Sequence, residues 1–177
     1  MRKYHCSIIR FRRTSERTRF KSELSEIRKI LHRAGKGGDW TVLNERAAAD
    51  CVLQFRGDAC VAAVGEMLSE GRLNQVDLFE KVRTIPELLA KELGPEWRCE
   101  FVKYRESALN ELIRRGKSWG VELTDGYRHG VNMGHMVVVD GLDEAGNVMI
   151  RDSQHATRYE MSKDDFIKHW TGRAVYR

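Results

Sequence analysis

The run Gly134-His135-Met136-Val137-Val138-Val139-Asp140 is the strongest constraint this chain places on its own fold. Three consecutive valines are stiff at χ1 and pack well on a pleated surface, so the run predicts a strand. Turn chemistry follows in Asp143-Glu144-Ala145-Gly146-Asn147, and Val148-Met149-Ile150-Arg151-Asp152 returns as a second β-rich run. Together they predict an antiparallel hairpin. With its turn centred near Glu144–Ala145, paired residue numbers sum to about 289. Asp152 then lies across from Val137, two residues along from His135. Side chains alternate along a strand, so His135 and Asp152 share a face as diagonal neighbours. A slip of one residue would put them on opposite faces.

The chain before this hairpin reads mainly as helices. Apolar residues at helical spacing mark Thr14–Ala34, about Ala59–Ser69, Asn74–Arg83, Pro86–Leu93 and Glu106–Arg115. Pro86 near one end and Gly94 at the other fit the preference for Pro first and Gly last. Short strands are expected at residues 4–11, 97–104 and 119–123. A short helix begins at Ser162 or Lys163, and Thr171–Tyr176 closes the chain as a strand. Helices followed by a mostly antiparallel sheet make an α+β domain. Gly35-Lys36-Gly37-Gly38 reads as a flexible joint, which divides the chain into a basic helical arm (1–38) and a folded domain (39–177).

Charge follows that division. Residues 1–34 hold 11 Lys/Arg and 3 Asp/Glu, whereas the whole 177-residue chain has a net charge of only +5. The body is therefore near neutral and the arm basic. Such an arm offers a surface to nucleic acid, anionic lipid or an acidic partner, and the plain alternative is a solvated helix. No apolar run approaches the ~18–20 residues of a membrane span. No signal peptide is read at the N-terminus, so a cytoplasmic location is expected.

Chemistry concentrates in Gln54-Phe55-Arg56-Gly57-Asp58-Ala59-Cys60-Val61, where a polar turn runs into an apolar helix. Asp58 is the expected N-cap, which makes Cys60 the second helical residue. Unpaired N–H groups and the positive end of the helix dipole favour thiolate there. Gln54 offers an amide for an oxyanion. A thiolate hydrolase also needs a base and a group to orient it. Of the six histidines (His5, His32, His129, His135, His155, His169), His135 sits on the most rigid element, and Asp152 is within diagonal reach. Each residue has a plainer reading: Cys60 as a small core residue, His135 as a satisfied edge histidine, Asp152 as a turn residue. Cys51 is the rival nucleophile but opens no clear helix. Cys6, Cys51, Cys60 and Cys99 form no CxxC pair and no zinc spacing, so no metal or cofactor is expected.

In this order the residues resemble the papain-like cysteine peptidases, specifically the bacteriocin-processing (double-glycine) peptidase domains of bacterial ABC exporters and the papain-fold toxin domains of bacteria. The likeness rests on Gln54 before Cys60, on Gly134-His135 before the valines, on Gly146 and Asp152, and on Met161-Ser162-Lys163-Asp164-Asp165-Phe166 through Gly172. It implies a Cys60–His135–Asp152 triad with Gln54 in the oxyanion hole, acting on peptide or side-chain amide bonds. It also implies a protein or peptide substrate and, for a toxin, an immunity or inhibitor protein. Exporter peptidases commonly read Asp-Cys-Gly at the nucleophile and Pro after the acid, where this chain has Ala59-Cys60-Val61 and Ser153. A glutamine deamidase, a non-catalytic binding module and an RNA-targeting toxin with a basic arm are the alternatives.

Overall fold

The computed structural model describes residues 40–128 and 131–177, with side chains given outside 125–133. The expected strand at 4–11, the helix at 14–34, and the 1–38 arm with its Cys6, His5 and His32 lie outside the described residues, as does His129.

The elements run β1 (Leu43–Ala47), α1 (Cys60–Leu68), α2 (Gln75–Val82), α3 (Pro86–Leu93), β2 (Arg98–Phe101), α4 (Arg105–Arg114), β3 (Trp119–Arg128), β4 (Val131–Leu142), β5 (Val148–Asp152), β6 (Thr157–Met161), α5 (Lys163–His169) and β7 (Trp170–Tyr176). The fold is α+β. Among the described residues seven strands form one antiparallel sheet in the order β1-β6-β5-β4-β3-β7-β2.

The sheet separates two apolar layers. On one face α1, α2 and α3 enclose Val61, Val64, Leu68, Leu78, Phe79 and Leu89 against Met136, Val138 and Val175. On the other, Val121, Leu123, Val137, Val139 and Ile150 pack with Leu109 and Leu112 of α4, Phe166 of α5, and Trp40. The valine run therefore serves both layers, one face each, as a two-residue alternation requires.

Helix α1 is buried at every position but Glu66, which is why its sequence is apolar all round rather than striped. Gly65 lets two helices close on it. A Cβ there would lie 2.4 Å from Leu78 and 2.6 Å from Leu89. The hairpin register at its open end is Val138↔Arg151 and Val139↔Ile150, with an irregularity before Gly141↔Met149. That irregularity shifts the count by one only near the turn, so Asp152 stays across from Val137.

Two strands were not anticipated. β6 carries Arg158 and Glu160 among Thr157, Tyr159 and Met161, and β1 is a largely exposed edge. β3 also extends five residues past the expected end at 123.

Candidate active site

The first turn of α1 differs from expectation. Its N-cap is Ala59, with no side-chain capping bond, and Cys60 is the first helical residue. Asp58 is turned instead to the Arg56 guanidinium. The local physics of Cys60 is unaltered by this, since the N–H of a first helical residue also lacks an intrahelical acceptor.

Cys60 is 8% exposed and meets His135 across the gap between α1 and β4. Burial pushes the thiol pKa up, but hydrogen bonding and charge from His135, with N–H groups of Met136 and Val61, pull it to a net value below the usual one. His135 is itself buried, and its Nε2 lies 2.7 Å from Asp152 Oδ1. Desolvation opposes the imidazolium. The charge and hydrogen bond of Asp152, and then Cys60, outweigh it and raise the His135 pKa to about 10. Asp152 is held down in turn: burial alone would raise its carboxyl, and His135, the Gln154 N–H and Tyr159 reverse that. The N–H of Gln154 donates to Oδ1 at 2.8 Å and the Tyr159 hydroxyl to Oδ2 at 3.1 Å.

Gln54 lies on the loop leading into α1. Its side chain donates both amide hydrogens within that loop, to Arg56 O (3.0 Å) and Gly57 O (3.1 Å). Its Oε1 accepts from Ser153 Oγ at 3.0 Å, and its own N–H donates to Ser153 O at 2.8 Å. Gln75 holds the loop from the other side, accepting from the Phe55 N–H and donating to Leu53 O. The turn after β5 therefore carries both Asp152 and the residue that fixes Gln54.

Sequence reasoning missed three residues here. Ser153, fully buried, was noticed only as a departure from Pro. Tyr159 lay in the unanticipated β6, where the alternation Thr157, Tyr159, Met161 was the available signal. Trp40 stacks on His135 with ring centroids 6.5 Å apart and planes 9° from parallel, and its Nε1 donates to Tyr159 Oη at 3.2 Å. Nothing in a single sequence marks that tryptophan.

The remaining candidates stand apart. The Cys51 thiol donates to Thr157 O, and burial with the Asp50 charge raises its pKa to about 12. Cys99 is half-buried, at about 11 by burial and Glu87. His169 closes α5, with Nδ1 on Thr124 O. His155 lies in the turn before β6. Among the described residues no three His, Cys, Asp or Glu side chains gather as a metal site would need.

No family model matches the chain. It is 33% identical over 156 residues to Cysteine protease effector 1 of Escherichia coli O1:K1:H7, covering 85% of this chain and 31% of that protein. The chain thus spans under a third of its relative's length. Among solved structures, the peptidase domain of Streptococcus ComA, a bi-functional ABC transporter involved in quorum sensing, aligns with a TM-score of 0.58 at 24% identity. That alignment covers 71% of this chain and 95% of the domain. The fold is that of the ComA peptidase domain. The Streptococcus mutans ComA peptidase domain gives a TM-score of 0.50 at 24% identity, covering 72% of this chain and 97% of that one. Residues 39–177 are less than four fifths of the chain, so the likeness to the E. coli effector reaches into residues 1–38. Among the described residues no helix is long and apolar enough to cross a membrane.

Proposed function

We propose that this chain is a cysteine hydrolase in which Cys60 is the nucleophile, His135 the general base and acid, and Asp152 the group that orients His135. One observation carries the reading: a single buried imidazole bonded on one side to a carboxylate at 2.7 Å and on the other to a thiol at a helix N-terminus. A lowered thiol beside a raised imidazole describes a thiolate–imidazolium pair, the reactive form of a nucleophilic cysteine.

The Cys60 thiolate attacks an amide carbonyl carbon. A C–S bond forms and the π pair moves to oxygen. The oxyanion takes hydrogen bonds from the Cys60 backbone N–H and from Gln54, whose amide exchanges a loop carbonyl for it. Collapse breaks the C–N bond, and His135 gives its proton to the leaving nitrogen. His135 then takes a proton from water, whose oxygen attacks the thioester. The thiolate leaves, and the imidazolium is restored.

The amide belongs to a protein substrate. The E. coli relative's name, a cysteine protease effector, supports a backbone peptide bond and an effector role. The test is incubation of the full chain, and of its Cys60→Ala variant, with a denatured protein mixture, followed by mass spectrometry. New backbone termini that depend on Cys60 establish a peptidase. Glutamine converted to glutamate with no new termini makes it a deamidase of the same mechanism. Neither product, with iodoacetamide labelling of Cys60 no faster than of Cys99, overturns the reading.

A further inference from the structure

The His135–Asp152 pair does not end at Asp152. Tyr159 of β6 and Trp40, just ahead of β1, extend it inward, and both are buried, at 3% and 2% exposure. The donors and acceptors in this chain run one way. An indole N–H can only donate, and a carboxylate can only accept. The Tyr159 oxygen sits between them, 3.2 Å from Trp40 Nε1 and 3.1 Å from Asp152 Oδ2. Both contacts are satisfied by one arrangement: the oxygen accepts from Trp40, and its single proton goes to Asp152. The phenol keeps that proton, because burial and then the Asp152 charge raise its pKa well above the usual value.

Asp152 Oδ1 accepts from the Gln154 N–H and faces His135 Nε2. With Tyr159 donating to Oδ2, the carboxylate has protein donors on both oxygens and stays an acceptor. Nε2 of His135 must then carry a proton, which leaves Nδ1 as the nitrogen that exchanges a proton with Cys60. Trp40 acts a second time by covering the imidazole with a nearly parallel ring. Its own position is fixed by the His169 ring edge at 5.8 Å and by the neighbouring Thr41 N–H, which donates to Asp165 Oδ2 at 2.6 Å.

We propose that Trp40 and Tyr159 are positioning residues: the indole N–H aims the Tyr159 hydroxyl at Asp152, and that hydroxyl holds Asp152 as the acceptor that fixes the His135 tautomer. This rests on the reading of Cys60 and His135 given above. The charged and titratable groups around the relay are His135 from β4, Cys60 from α1, Glu45 from β1 acting on Tyr159, and the His169–Asp165 pair of α5 behind Trp40.

The test measures iodoacetamide labelling of Cys60 against pH, by mass spectrometry, in the full chain and in its Tyr159→Phe and Trp40→Phe variants. Without the hydroxyl, Asp152 is protonated at higher pH, the imidazolium loses its partner sooner, and the acid limb of thiolate formation moves up. Below that limb, labelling of the Tyr159→Phe protein should fall about ten-fold. Trp40→Phe keeps a ring over His135 but frees the phenol, and should move the limb the same way by less. A merely structural role would alter melting and leave the limb in place, so superimposable profiles in folded variants overturn the proposal. Should the variants not fold, ¹⁵N NMR of the histidines in the Cys60→Ala protein decides instead. Neutral His135 protonated at Nε2 supports the relay, and protonation at Nδ1 overturns it. Fast, low-pH labelling of Cys60 with unshifted variants sinks only the relay. Slow labelling in the unaltered chain sinks the nucleophile reading as well.

Discussion

Two cysteines nine residues apart are buried almost equally, Cys51 at 7% exposure and Cys60 at 8%, yet their acidities are driven in opposite directions. Desolvation raises both. Around Cys51 it is joined by the Asp50 charge, and the thiol keeps its proton and donates it to a carbonyl. Around Cys60 it is overcome by the hydrogen bond and charge of His135 and by the N–H groups of Met136 and Val61, which bond a thiolate more strongly than a thiol. Burial therefore does not decide which way a thiol's acidity moves. The sign of the neighbouring charges does.

The sharpest attempt to break this contrast is a pair of substitutions. Cys60→Ala should remove hydrolysis by about 10⁴-fold or more, whereas Cys51→Ala should leave turnover within about two-fold and show only as a modest loss of thermal stability, of about 1 kcal/mol. Equal losses in a discontinuous assay of product would erase the distinction. Asp152→Asn keeps the shape beside His135 but removes the negative charge, and kcat should fall by about 10³-fold. Gln54→Ala should lower kcat by about 10²-fold while Cys60 labels with iodoacetamide at an unchanged rate, because the thiol's acidity is set by His135, Met136 and Val61 and not by the proposed oxyanion donor. The mildest measurement is a pH profile. Cys60 should label from below the usual thiol range upward, Cys99 only near 11 and Cys51 only near 12. Turnover should rise through the lowered Cys60 pKa, hold, and fall as pH rises through about 10, where His135 loses the proton it must deliver.

The sequence made one part of the site unusually readable. Asp152 could be set beside His135 because β pairing has a strict two-residue period and because a single turn fixed the register. The bulge fell between Val139 and Gly141, on the turn side, where it did not disturb that relation. Helix α3 was equally plain, since Pro86 and Gly94 mark both of its ends. Local rules failed where a tertiary partner competed. Asp58 has the composition of a cap, but Arg56 is a closer partner for its carboxylate. β6 was hidden because Arg158 and Glu160 interrupt an apolar reading. Both charges are satisfied by distant residues, Arg158 by Asp50 and Asp140, and Glu160 by Arg46. Trp40 lies 95 residues from the histidine it covers, a separation no periodicity spans.

The turn after β5 has a mechanical consequence. Asp152, just ahead of it, bonds His135, and Ser153, its first residue, bonds Gln54 in the loop before α1. The two contacts hang from one bracket, so a disturbance there displaces both together, in common mode. Small shifts of the turn would carry the His135 partner and the Gln54 anchor along as a unit and preserve their relative aim. In the proposed mechanism, a change at Ser153 that rotates one against the other would be felt in bond making and in proton delivery at once.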